Sequence, residues 1–163
     1  MAREKLTRTE SLTALAERPE RIAELTAGLT RAQLRARTGD NEWAAVELLA
    51  HLRCCSDAWG EAISTILAED HPTIVAVNPR ALLRDCDYAR RPFAASLAAY
   101  SDQRAGLLAV LRGLDARQWR RAATIRGAGA PLERTVHDYA SRLAVHERGH
   151  DRQFARMARQ LRG

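Results

Sequence analysis

The sequence contains almost no lysine and few aromatic residues. Lys5 is the only lysine, and aromatic residues make up 5% of the 163 residues. Nearly all of the positive charge therefore comes from arginine, a bias that is typical of high-GC coding. The formal net charge is +6, yet no run of about five like charges occurs. A basic tail for binding nucleic acid is therefore excluded, and nucleic acid is not an expected partner.

Cysteines and long hydrophobic runs are also scarce. The three cysteines, Cys54, Cys55 and Cys86, are odd in number and two of them are adjacent, so they do not form a disulfide framework. A reducing, cytoplasmic location is expected. No apolar run approaches the roughly 18 residues of a membrane span. No hydrophobic region follows the first five residues, so no signal peptide is predicted.

Helical periodicity of apolar residues dominates the chain. It predicts one all-α domain over residues 1–163, with long helices near 9–27, 44–68, 92–112 and 132–161. Pro19 should either kink the first helix or start its main part. The connection between the second and third helices is too long for a plain loop, and it favours a crossover between parallel neighbours. No strand is predicted, although residues 73–77 are of types common in strands.

Two short segments carry the same helix-capping pattern. Thr30 with Gln33, and Asp115 with Gln118, have the spacing of a capping box. Each segment comes before a loop and another long helix, which is weak evidence for an internal repeat. Chance reuse of a common cap explains the pattern equally well.

The last helix carries two histidines on its apolar face. At about 100° per residue, His146 and His150 fall within the stripe of residues that should pack inward. The other members of that stripe are apolar: Val136, Tyr139, Leu143, Phe154, Met157 and Leu161. Side chains four residues apart are neighbours on a helix, so two imidazole nitrogens can converge on one metal ion.

The pair lies in a His-Glu-x-x-His pattern, in which Glu147 would be the general base of a zinc protease. Such proteases take their third ligand from downstream, and apart from Asp151 no ligand residue follows His150. The third ligand must therefore come from upstream. His51 is the candidate, because it lies on the buried stripe of the second long helix. Glu147 lies about 60–100° around the helix from the histidines, so it could instead be a surface residue or a supporting partner.

Other residues are weaker candidates for metal ligands. Cys55 shares the face of His51, but a small buried cysteine is usually part of the core. His137 lies about 180° from His146 on the helix and should face solvent. His71 precedes Pro72 in a predicted loop and should be exposed.

Three segments together resemble the DinB/YfiT-like superfamily of metalloenzymes. They are Glu42-Trp43-x-x-x-Glu47-x-Leu49-x-His51-Leu52, Asp87-Tyr88-Ala89-Arg90-x-Pro92-Phe93, and Val136 through His146-Glu147-x-x-His150. The resemblance implies a four-helix bundle of up-down-down-up topology with a long crossover between helices 2 and 3. It also implies a metal held by His51, His146 and His150, and it implies a homodimer.

The resemblance extends to activity, because the superfamily includes thiol S-transferases, a mycothiol-dependent isomerase and proposed hydrolases. Three imidazoles suit a divalent Zn, Ni, Fe or Co ion. A metal can activate a thiol directly, and the sequence has no Ser-His-Asp set. We therefore expect a metal-dependent thiol S-transferase that joins a low-molecular-weight thiol to small electrophiles. The arginine-rich coding favours mycothiol. A metal-dependent hydrolase and a non-catalytic metal-binding or stress-response protein are the alternatives.

Overall fold

Four long helices form the body of the protein in a computed structural model that describes residues 5–40 and 42–163. These helices are α1 (Arg8–Thr26), α3 (Ala45–Ala68), α5 (Phe93–Arg112) and α7 (Val136–Arg162). Three shorter α-helices lie between them: α2 (Arg31–Arg35), α4 (Pro79–Asp85) and α6 (Ala116–Trp119). A single 3-10 turn covers Tyr88–Arg90. Residues 1–4, and Asn41 of the loop before α3, lie outside the described residues.

The four long helices pack side by side into a bundle. α1 and α3 each contact both α5 and α7. Their apolar faces form two clusters of buried side chains, one toward each end of the bundle. The first includes Leu15, Ile66, Leu111 and Leu143, and the second includes Ile22, Leu48, Leu49 and Phe154. Each fully buried side chain of this kind stabilises the fold by roughly 1.5–3 kcal/mol, so the packed faces hold the helices together.

The ends of the first three long helices lie within one residue of the predicted positions. α1 continues through Pro19, so of the two alternatives the one in which Pro19 starts the main part of the helix does not hold. The last helix begins at Val136 rather than Leu132, because residues 132–135 form a strand. Within the described part of the chain, no helix is both long enough and apolar enough to cross a membrane.

A small sheet stands beside the bundle and corrects the prediction of an all-α protein without strands. Its strands are β1 (Thr73–Val75), β2 (Ala122–Arg126) and β3 (Leu132–Thr135). β1 pairs in parallel with β2, and β2 pairs antiparallel with β3. In β2 the alternate residues Ala123 and Ile125 are buried in the core. The strands were missed because they are short, and β1 in addition pairs with a strand that is distant in sequence, which leaves little local signal.

Both predicted capping boxes are present. Thr30 caps α2 with Gln33, and Asp115 caps α6 with Gln118. The same device begins α7, where Thr135 accepts from the amide of Asp138. After α6 the chain enters the β2–β3 hairpin, whereas an irregular segment follows α2. The internal repeat therefore does not extend beyond the caps.

Candidate metal centre

Two helices bring three histidines together in the interior of the bundle. His51 lies on α3, and His146 and His150 lie one turn apart on α7. α3 and α7 are in contact along their lengths, so the apolar stripe that carries each histidine faces the other helix. His51 is buried, and the other two are partly buried. The predicted convergence of these side chains is therefore present.

The Nε2 atoms of His51 and His150 both lie close to the Nε2 of His146. The Nε2 of His146 is 3.1 Å from that of His51 and 3.2 Å from that of His150. Two nitrogens that each lie about 2.0–2.1 Å from one ion are about 2.8–3.4 Å apart at angles of 90–110°. Both distances fall in this range. The spacing of His146 from each of the other two histidines is therefore that of two nitrogen ligands on one divalent metal ion.

Hydrogen bonding and burial keep the ring nitrogens available as ligands. The Nδ1 of His150 is 2.7 Å from Oε1 of Gln153. An amide oxygen only accepts, so this contact places the proton on Nδ1 and leaves the Nε2 lone pair directed toward His146. Burial, followed by the charges of His150 and Arg80, lowers the pKa of His51 to about 4. His51 is therefore a neutral imidazole near pH 7, which is the form that binds metal.

Cys55 is an alternative to His150 as the third ligand, together with His51 and His146. Donor atoms of these three residues lie within 4.8 Å of one another. Its Sγ is 3.8 Å from the Nε2 of His51, which is farther than either imidazole contact. Burial, with a smaller contribution from Glu147, raises the pKa of the Cys55 thiol to about 12. The shorter contacts and the neutral donor favour His150 over Cys55, because a thiol must lose its proton to bind.

Glu147 is fully buried, so it is not a surface residue. Its Oε1 accepts from the Nη2 of Arg104, a buried side chain on α5, and from the hydroxyl of Ser56 on α3. Arg104 also donates to the hydroxyl of Tyr100 at 3.1 Å. This cluster joins three helices directly beside His146. The catalytic role of Glu147 stays a prediction, while its contacts are those of a supporting partner.

A second ion pair lies beside His150. Arg18 of α1 donates through Nη1 to Oδ2 of Asp151, and the guanidinium is buried. Since Asp151 is the residue after His150, this pair fixes the same turn of α7 against α1. Both histidines of α7 thus adjoin a carboxylate that is held by an arginine from another helix.

One cavity is lined in part by His150, and a second is lined in part by Trp59 beside His146, with no histidine among the described residues of its wall. The first, of about 750 Å³, is lined by Trp43, His150, Gln153 and residues of α4. The second, of about 660 Å³, is lined mainly by apolar side chains of α3, β1 and α4. Trp43 packs against His51 with ring centroids 4.9 Å apart, and Trp59, in the second cavity, lies 5.2 Å from His146. Small molecules can therefore approach the centre through the cavity beside His150, while the second cavity reaches Trp59, which packs on His146.

Comparison with known proteins identifies the family of this chain and a solved structure with the same fold. The family model described as the DinB superfamily matches residues 14–154. The chain belongs to the DinB superfamily. The fold also matches a solved structure described as "YfiT from Bacillus subtilis is a probable metal-dependent hydrolase with an unusual four-helix bundle topology". The TM-score is 0.82 at 18% sequence identity, and the match covers 99% of this chain and 93% of that chain. The search of curated proteins finds no match.

The other histidines of this DinB chain lie away from the centre. His137 was predicted to face solvent, but it is partly buried and its Nε2 donates to the carbonyl of Leu6 at 2.8 Å. The carbonyl of Leu6 lies just before α1. Helical periodicity within the last helix could not predict this contact with a distant part of the chain. His71 is exposed as predicted, and its Nε2 is 2.9 Å from Oε2 of Glu133 on β3.

Some residues around the DinB centre were missed by sequence reasoning. Gln153, Arg104 and Trp59 were not singled out, although each contacts a histidine or its neighbour. Gln153 had a signal, because it is three residues after His150 on the same helix. Arg104 had only a weak signal. An arginine within an apolar helical stripe implies a buried acidic partner, but the sequence does not show which residue that partner is.

Proposed function

We propose that this chain binds one divalent metal ion through His51, His146 and His150 and uses it to transfer a low-molecular-weight thiol to small electrophiles. The observation that supports this is the close approach of the Nε2 atoms of His51 and His150 to the Nε2 of His146, beside an open cavity. Three neutral imidazoles leave coordination positions for a substrate. Zn, Ni, Fe and Co all accept such ligands.

The bundle topology that we propose for this site is up-down-down-up, with the long crossover between helices 2 and 3, which are α3 and α5. Contacts between helices support it. The order of the contacts along the chain indicates which helices are parallel. α1 and α7 are parallel, α3 and α7 are antiparallel, and α3 and α5 are parallel. The pairs are Leu6–Ser141, Arg18–Asp151 and Leu25–Arg162; His51–His150 and Trp59–Arg142; and Arg53–Ser96 and Ser56–Arg104.

Thiol transfer is favoured over hydrolysis by the surroundings of Glu147. The bound metal would supply a Lewis acid that lowers the pKa of a coordinated thiol or water. Hydrolysis then benefits from a general base, and the carboxylate of Glu147 is already engaged by Arg104 and Ser56. A thiol needs no such base. We propose that Glu147 supports the turn of α7 that carries His146, and that it is the general base only in the hydrolase alternative.

The two cavities suit two substrates. The apolar cavity would take a small hydrophobic electrophile between Trp59 and Tyr139, near His146. The cavity beside His150 would admit the thiol. The hydrolase alternative draws on the description of the YfiT structure as a metal-dependent hydrolase. A non-catalytic metal-binding or stress-response role is the third possibility.

Metal content tests the ligand assignment. Zinc or cobalt should bind at one ion per chain, and His51→Ala, His146→Ala and His150→Ala should each weaken the affinity. The binding free energy of a zinc ion held by four ligands is about 10–16 kcal/mol, which is roughly 2.5–4 kcal/mol for each ligand. Loss of one histidine should therefore weaken the metal affinity by about 100- to 1,000-fold. Cys55→Ala and the exposed His71→Ala should leave affinity unchanged. Loss of metal in Cys55→Ala, with none in His150→Ala, would reassign the third ligand.

Turnover tests the reaction. Metal-loaded protein is incubated with a panel of thiols, including mycothiol, and a chlorinated arene. Product that requires both the thiol and His51 supports transfer. Cleavage of esters or amides without thiol would support the hydrolase and a base role for Glu147. Bound metal with no turnover would indicate the non-catalytic role.

The assembly and location that we propose follow from the family resemblance. We propose a homodimer that works on small molecules in the cytoplasm and does not bind nucleic acid. Light scattering on the purified protein measures the mass in solution. Retention of duplex DNA that falls with salt would contradict the absence of nucleic-acid binding.

A further inference from the structure

The cavity beside His150 is cationic. Its wall contains Arg80 and Arg84 from α4, together with the polar side chains of Asn78 and Gln153. Among the described residues that line it, none is a carboxylate. The approach to the proposed metal therefore carries uncompensated positive charge.

Arg80 and Arg84 are exposed arginines that line the same cavity as His150. Within residues 5–40 and 42–163, neither forms an ion pair with a carboxylate. Six other arginines each pair with a carboxylate: Arg18, Arg21, Arg37, Arg91, Arg104 and Arg156. Arg80 and Arg84 are four residues apart in α4, so their charges are neighbours and repel each other. An anion between them would relieve that repulsion.

The segment that carries these arginines is fixed to α3. The Sγ of Cys86, at the end of α4, is 2.9 Å from the Sγ of Cys54. Just beyond it, Tyr88 donates to Asp57 at 2.7 Å, and Arg53 lies over the Tyr88 ring at 3.6 Å. Contacts of this kind hold α4 above the histidines. The arginines are therefore presented to the cavity by an anchored segment.

We propose that this cavity binds a carboxylate of the substrate, held by Arg80 and Arg84 while another atom of the substrate binds at the metal. Guanidinium groups match the planar, two-oxygen geometry of a carboxylate, and charge-assisted hydrogen bonds of this type are strong. The inference rests on the proposed function. The carboxylate belongs either to the thiol or to the electrophile.

Binding to metal-free protein tests the arginines without the metal. Glutarate and its neutral diamide are titrated by calorimetry into wild type and into Arg80→Gln/Arg84→Gln. The matched control is Arg31→Gln/Arg112→Gln, which removes the same charge from exposed positions outside the cavity. Wild type and control should bind glutarate at least about tenfold more tightly than the cavity variant, and should prefer it to the diamide. Equal binding in all three proteins, or none, would overturn the proposal.

Cobalt-loaded protein separates the two sources of the carboxylate. A coordinated thiolate gives a cobalt charge-transfer band, so 3-mercaptopropionate is compared with 2-mercaptoethanol. A preference of about tenfold for the carboxylate thiol in wild type, lost in Arg80→Gln/Arg84→Gln, assigns the carboxylate to the thiol. If the thiols bind equally, displacement of glutarate by 4-chloro-3-nitrobenzoate but not by its amide assigns it to the electrophile. If neither preference appears, the carboxylate site is wrong.

The same experiments distinguish failure of this proposal from failure of the proposed function. Absence of cobalt binding by wild type would remove the metal site. The glutarate titration would still decide whether Arg80 and Arg84 bind a carboxylate. Cobalt binding with no response to the arginine variants would leave the metal site and remove the anion site.

Discussion

The buried pair of Arg104 and Glu147 allows the sharpest test of how the centre is supported. The two side chains are 2% and 0% exposed, so neither charge is solvated by water. Arg104→Met would leave the carboxylate of Glu147 in the interior without its cation. Breaking a buried pair in this way costs about 3–5 kcal/mol. In a chain of 163 residues, at about 2–4 °C per kcal/mol, the melting temperature should fall by roughly 6–20 °C.

The double variant Arg104→Met/Glu147→Met removes both charges and should recover much of this loss. Replacement of a buried pair by apolar residues is often neutral or stabilising. Recovery should be incomplete, because Ser56 and Tyr100 each lose a hydrogen-bond partner, at about 1–3 kcal/mol for each group left unsatisfied. Urea unfolding followed by circular dichroism measures the free energies. Arg112→Met on the exposed face of α5 is the control and should change stability by less than about 0.5 kcal/mol.

Two results would refute this reasoning. A loss below about 1 kcal/mol in Arg104→Met would mean that the pair is solvated or not formed. A double variant whose loss of stability equals the summed losses of Arg104→Met and Glu147→Met would mean that the pair is not coupled. Metal affinity adds a readout of role. If Glu147 supports His146, then Arg104→Met and Glu147→Gln should both weaken metal binding, by about 10- to 100-fold. If Glu147 is a general base, Glu147→Gln should abolish ester cleavage and leave metal affinity unchanged.

Further predictions concern the hairpin, the helix interior and the thiols. Gly127 has φ +87°, so Gly127→Ala should destabilise by about 1–2 kcal/mol in urea unfolding. Gly60 lies within α3, and the carbon added by Gly60→Ala would meet no neighbouring side chain within 4 Å, so this variant should instead stabilise the fold by roughly 0.5–1 kcal/mol. A change of stability with the same sign in both variants would contradict the backbone conformation assigned to these glycines. The Sγ atoms of Cys54 and Cys86 are 2.9 Å apart, so the oxidant diamide should join them in a disulfide that peptide mapping detects. Cross-linking that persists in Cys86→Ser, through Cys55, would show that the thiols are arranged differently.

Local interactions determined much of what the sequence predicted correctly. Helix ends at Arg112 and the caps at Thr30 and Asp115 depend on residues within one turn of the chain, and they were found at the predicted positions. The same holds for His146 and His150, whose common face follows from a spacing of four residues. Such features need no knowledge of the rest of the chain, because the period of the helix fixes them.

Only the tertiary structure decided which distant groups meet. The contact of His51 with His146 spans 95 residues of sequence, and that of Arg104 with Glu147 spans 43. The parallel pairing of Thr73 with Thr124 is equally remote in sequence. Apolar periodicity states that a face is buried, but it does not state what covers that face. The partner of a buried charge, the edge on which a strand pairs and the wall of a cavity follow from how whole helices pack, which is a property of the assembled chain.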